Sequence, residues 1–181
     1  VKYFTPELIV MGQSKDDQIL SEQERRWEVA GDRYVAYLDT VRPQFPPGLR
    51  LIDESYYLHD ATVQGLGRRG QSFVMILQLD APPQSILTLT YDLVEDPIII
   101  KDALPLEPSG TGPVVDWQYN ELQIAPGNPP TWRESLLLSN GWELALHFRD
   151  VRVEEVQAVL PAPRNGAPAG VSFVLQHADR E

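Results

Sequence analysis

The chain has no cysteine, three histidines, two methionines, and 15 lysines and arginines against 26 aspartates and glutamates in 181 residues. Without cysteine there is no disulfide, thiolate nucleophile, Cys-ligated zinc or iron–sulfur cluster, and a reducing compartment is the natural expectation. The shortage of cations leaves a formal net charge of −11 and a pI near 4.7. A field of that sign repels phosphate backbones and anionic lipid heads, so neither nucleic acid nor a membrane is an expected partner. The pairs Arg25-Arg26 and Arg68-Arg69 are too small to reverse it. Long apolar runs are missing as well: the best, Phe73 to Leu79, is interrupted by Gln78 and falls far short of the roughly 20 residues of a membrane span. The opening Val-Lys-Tyr-Phe-Thr-Pro-Glu lacks the apolar core of a signal peptide. A cytoplasmic location is therefore expected.

With 43% hydrophobic and 23% charged residues the composition is that of an ordinary globular domain. Its length suits one domain that needs no metal to hold a core. Sixteen prolines fall between the periodic segments and favour short elements joined by stiff loops. Thr5-Pro6-Glu7 offers an N-cap, a proline at N1 and a first-turn acid, predicting a short helix over residues 6–11 closed by Gly12. Ser21-Glu22-Gln23-Glu24 reads as a capping box. Behind it Trp27, Ala30, Tyr34, Leu38 and Val41 recur at helical spacing, predicting a helix over residues 22–42 stopped by Pro43. Phe45-Pro46-Pro47-Gly48 reads as a turn.

From Leu51 onward the period becomes two. Strands are expected around residues 57–64, 72–80, 86–94, 97–104, 114–124, 134–139, 142–149 and 151–160, with a further strand or tail at 171–176. Asn140-Gly141 predicts a hairpin with a type I′ turn. Strands in series with no helical pattern between them give an α+β fold: one or two N-terminal helices packed on an antiparallel sheet or sandwich-like β body. The domain spans residues 1–160, helical over about 5–42 and β-rich over about 51–160, with a Pro/Ala/Gly linker and tail at 161–181.

Each apparent active-site motif meets an objection. Gly65-Leu66-Gly67-Arg68-Arg69-Gly70 matches G-x-G-x-x-G, but the following segment reads as strand where a dinucleotide fold needs a helix. A kinase reading lacks the strand lysine and the Mg-binding motif; His147-Phe148-Arg149-Asp150 is only a superficial likeness to a catalytic loop. His59-Asp60, read as strand neighbours, point to opposite faces and cannot share an ion. Glu143 and His147 on one strand stand roughly 13 Å apart. His177 lies near the end of the chain, and no G-x-S-x-G occurs. The acids Asp116, Glu121, Asp150, Glu154 and Glu155 need adjacent strands to gather. An aromatic strip of Trp117, Tyr119 and Trp132, with Trp142, Tyr56 and Tyr57, could line a sugar or peptide groove; Trp132, in a Pro-rich loop, is the expected exposed member.

Lys2-Tyr3-Phe4-Thr5, Leu58-His59-Asp60-Ala61 and Trp117-Gln118-Tyr119-Asn120-Glu121-Leu122, followed by the Asn140-Gly141 hairpin, resemble a family of uncharacterised bacterial proteins classed as a domain of unknown function. The resemblance runs to about Leu160 and implies that the Leu-His-Asp-Ala segment opens the β portion as a strand. It brings no activity. The Pro/Ala/Gly tail and Val1 in place of methionine depart from the pattern. The expectation is thus a non-catalytic domain that binds a protein partner, with no catalytic residue and no cofactor or metal. The alternatives are a small hydrolase or metal-dependent enzyme using His59 and Asp60 with Asp116 and Glu121, and a carbohydrate-binding module on Trp117, Tyr119 and Trp132.

Overall fold

The computed structural model describes residues 1–80, 85–101 and 114–157. The expected turn at Pro82-Pro83, the loop at 107–113, the linker and strand beyond 160, and His177 lie outside the described residues. Thr5 caps α1 (Pro6–Met11) as expected, its hydroxyl accepting from Leu8 N, and Gly12 closes it. The long helix α2 (Asp17–Val41) begins earlier than the capping box predicts. Asp16 is its N-cap, with Oδ1 accepting from Gln18 N at 2.8 Å and Ile19 N at 3.3 Å. A carboxylate at this position satisfies two free amides and meets the positive end of the helix dipole, so Ser21 and Glu24 fall inside the helix.

A 3-10 turn (Arg42–Gln44) leads into α3 (Pro47–Ser55), where the sequence reads as a turn followed by strand. Pro47 at N1 is compatible with a helix start. Gly48 is required there, because a Cβ would lie 1.5 Å from the carbonyl oxygen of Val151. The helix buries Leu49 and packs Ile52 against the core, and Tyr56 just after it does the same.

Among the described residues seven strands form: β1 (Thr62–Arg69), β2 (Ser72–Gln78), β3 (Ser85–Leu93), β4 (Ile98–Ile100), β5 (Trp117–Ala125), β6 (Thr131–Leu138) and β7 (Glu143–Gln157). They form one antiparallel sheet in the order β1-β2-β3-β7-β6-β5, with β4 paired to the start of β7. The fold is therefore α+β. The G-x-G-x-x-G segment is the β1–β2 hairpin, with Gly70 at φ 63°. The two strands expected at 142–160 are one continuous β7, whose pairing to β3 slips between Tyr91 and Leu93. At Asn140-Gly141 only the glycine has positive φ (79°), and Gly141 N bonds Leu138 O. A tight turn followed by a left-handed glycine thus replaces the type I′ turn.

The sheet curls into a half-barrel, and at one end its edges meet. Asp60 N donates to Trp117 O, Trp117 N to Ala61 O, and Val63 N to Val115 O, at 2.7–2.9 Å. One face carries Phe73, Met75, Leu77, Leu87, Leu89, Tyr91, Trp132, Leu136, Leu144, Leu146 and Phe148, all buried. The chain from α2 to α3 supplies Leu38, Val41, Phe45 and Leu49 to the same core, with Phe45 edge-on to Trp132 at 4.9 Å. Further along β5, the amides of Leu122 and Ile124 donate to the hydroxyls of Tyr34 and Tyr37 on α2, at 2.7 and 2.8 Å. Among the described residues no helix is long and apolar enough to cross a membrane.

Two glycines separate close approach from mere flexibility. Gly48→Ala is expected to cost about 3 kcal/mol or more by forcing α3 off β7. Gly31→Ala, in α2 with nothing within 4 Å of its new Cβ, should stabilise by about 0.5–1 kcal/mol. Urea midpoints read both; equal shifts would contradict the packing of α3.

Candidate functional site

After α3 the chain turns back toward β5. Tyr56 ends the helix in an extended conformation and donates its hydroxyl to Glu155 Oε2 at 3.0 Å. Leu58 is buried, and Ala61 N bonds Leu58 O at 3.0 Å. Leu58-His59-Asp60-Ala61 is therefore a tight turn, and β1 begins only at Thr62. Asp60 has φ 65°, the one non-glycine residue in the left-handed region among those described. Aspartate tolerates this better than most. Bonding of its amide to Trp117 O helps hold it there. In a turn, His59 and Asp60 no longer diverge as strand neighbours would: His59 Nδ1 lies 2.9 Å from Asp60 Oδ2.

The turn presents a row of rings. Tyr57, 74% exposed, stacks on His59 at 5.9 Å between centroids, and His59 meets Tyr119 edge-on at 5.2 Å. Tyr119 continues to Trp27 at 4.8 Å and Phe4 at 6.1 Å. Burial, Asp60 and Tyr57 together raise the Tyr119 hydroxyl above its ordinary pKa. These rings border a cleft of about 260 Å3 between α2, α3 and β5. Leu38, Leu49, Leu58 and Leu122 give it apolar lining, and Tyr34, Asp53 and Asn120 give it polar atoms.

The other sequence candidates have structural duties. Glu121 is 1% exposed, its Oε1 accepting from Tyr3 N at 2.8 Å and Phe4 N at 2.7 Å and its Oε2 from Lys2 N. Asp116 Oδ1 accepts from Thr62 Oγ1 at 3.0 Å, where the sheet edges meet. The hydrolase set thus divides: His59 and Asp60 sit at the cleft mouth, while Asp116 and Glu121 hold the fold. Trp132 is 1% exposed, contrary to its expected exposure, because its alternation with Leu136 and Leu138 turns it inward. Trp117 is equally buried, so of Trp117, Tyr119 and Trp132 only Tyr119 is partly open. Asp150 Oδ1 accepts from Gly48 N and Val151 N, and Glu155 holds Tyr56. Among the described residues no three His, Asp or Glu side chains gather as a metal would need.

Two groupings escaped the sequence reading. Glu134 is a buried carboxyl on the core face, bonded by Asn120 Nδ2 at 2.8 Å and by the Tyr91 hydroxyl, with Trp117 Nε1 on Asn120 Oδ1 at 3.4 Å. No cation among the described residues pairs with it. Burial outweighs the two hydrogen bonds and pushes its pKa up to about 7. The polar residue between Trp132 and Leu136 in a strand alternation was the available signal. Second, His147 Nε2 lies 2.8 Å from Thr131 Oγ1 and its Nδ1 3.0 Å from Glu95 Oε1, on the opposite parity of the sheet. A wider groove of about 610 Å3 beside α3 includes Asp92, Asp150 and Arg152, whose charged groups pair with Arg149, the Gly48 amide and Glu154 respectively.

With this geometry in hand, no family model, no curated protein and no solved structure matches the chain.

Glu134 generates a pH signature of definite sign. Its folded pKa lies above the unfolded 4.5, so the native state holds the proton more tightly. Its contribution is complete below about pH 4.5 and is lost as pH rises to about 7, for a total of roughly 3 kcal/mol. Glu134→Gln should therefore gain on the native protein by about that amount between pH 4.5 and 8 in urea unfolding. A pH-independent difference would show that the carboxyl is ionised in the core.

Proposed function

We propose that this is a non-catalytic protein-interaction domain, and that its contact site is the cleft bordered by Tyr57, His59 and Tyr119. The observation that carries this reading is a 74% exposed tyrosine stacked on a histidine at the mouth of a cleft of about 260 Å3. Cofactor and drug-sized ligands occupy about 300–1,000 Å3, so this volume suits one or two side chains of a partner. Exposed tyrosines over a partly apolar pocket are what interface anchors use, because they bury large area at little entropic cost. The acidic charge disfavours nucleic acid and anionic membranes as the partner. The hydrolase reading loses support from the separate employment of Asp116 and Glu121. The carbohydrate reading loses it from the burial of Trp117 and Trp132.

Selection from a displayed library of unstructured peptides tests the proposal. Enriched peptides should bind Tyr57→Ser and Tyr119→Ser at least about tenfold more weakly than the native protein. No enrichment, or undiminished binding to both variants, would remove the cleft as a contact site.

A further inference from the structure

Resting on that reading of the cleft, we infer that the anchor it accepts is an arginine side chain in a basic segment of the partner. The lining contains six rings, from Tyr34, Tyr56, Tyr57, His59, Trp117 and Tyr119, and no lysine or arginine. Arg42, in the 3-10 turn that follows α2, is turned to Asp39 and to Asp53 at 2.9 Å. Around the mouth stand carboxylates: Asp53 in the wall, Asp60 beside His59, and Glu155 held by Tyr56. Asp60 has 59% of its side chain exposed, against 23% for Asp53, and it lies against the ring that Tyr57 and Tyr119 flank. The chain as a whole is negative by 11 charges, so approach of a basic segment is steered toward it.

The chemistry separates the cationic candidates from one another and from an aromatic anchor. A guanidinium is planar, stacks on aromatic faces and forks onto a carboxylate, whereas an ammonium is a compact, strongly hydrated point charge. The ring row of exposed Tyr57 and half-buried His59 and Tyr119, with Asp60 at its edge, offers both a face and an acceptor. The methylene stem then lies along the apolar lining that Leu49, Leu58 and Leu122 provide. An incoming phenyl ring would gain the same apolar contacts but leave Asp60 unused.

The test compares blocked tripeptides with arginine, citrulline, lysine or phenylalanine at the centre, titrated into the full chain and read on the ring resonances of Tyr57, His59 and Tyr119. The arginine peptide should shift them saturably. Citrulline, its neutral isostere, should bind at least about tenfold more weakly, and added salt should narrow that gap. Asp60→Asn, which keeps the left-handed turn accessible, should weaken arginine by a similar factor and leave citrulline unchanged. If citrulline matches arginine, or phenylalanine or lysine exceeds it, the arginine assignment is wrong while the cleft remains a contact site. If no peptide shifts these rings, the arginine assignment and the contact reading both fall.

Discussion

The outer edge of β5 carries a row of backbone donors and acceptors that β6 does not pair, and an unsatisfied edge strand invites pairing with another chain. Here two different pieces of the molecule satisfy it, and a third is anchored beside it. The 58–61 turn and the start of β1 bond its N-terminal end through Trp117 and Val115. Tyr34 and Tyr37 of α2 accept from Leu122 and Ile124. Glu121, on the outward parity of the strand, gathers the amides of Lys2, Tyr3 and Phe4 and so anchors the N-terminal segment over it. Each contact answers a backbone or carboxylate need, and together they bring α2, the turn and the N-terminal segment to one strand. The aromatic row and the cleft are consequences of that convergence.

The core shows the opposite economy. Glu134 is buried with no cation beside it among the described residues, and Tyr91 and Asn120 supply hydrogen bonds in place of charge. Such an arrangement is cheaper neutral than ionised, since removing a lone carboxylate from water costs more than two neutral donors return. Asn120 joins this network to the cleft, because it bonds Glu134 and also lines the space beneath Tyr119. The protonation state inside the half-barrel and the polar wall of the cleft therefore share one amide.

What was legible in the sequence follows from how local its cause is. Thr5-Pro6 and the Trp27–Val41 stripe are read from neighbours in the chain, and both stand. The alternating strands were legible for the same reason. α3 was not, since Pro46-Pro47-Gly48 opens a turn as readily as a helix, and the deciding contact is Gly48 against Val151, about a hundred residues away. Leu58-His59-Asp60-Ala61 alternates like a strand, yet its geometry is set by bonds to Trp117. The burial of Glu121 and of Trp132 was not legible for a shared cause: polarity and a Pro-rich flank say nothing of which distant groups will meet a side chain.

His147 poses the sharpest alternative to the cleft, because a hydroxyl, an imidazole and a carboxylate stand in the order that nucleophilic catalysis uses. Enclosure separates the two places. Thr131 lines neither of the two clefts, and Glu95, which would orient the ring, has 57% of its side chain in solvent. A carboxylate so exposed holds an imidazole only as a surface pair does, and a reacting carbonyl beside Thr131 would compete with bulk water for every hydrogen bond. The same three groups bridge the segment before β4 to β6 and β7, which is sufficient reason for their alignment. The Tyr57 cleft, by contrast, is enclosed by α2, α3 and β5 and keeps a 74% exposed ring at its mouth, and that enclosure favours it as the proposed contact site.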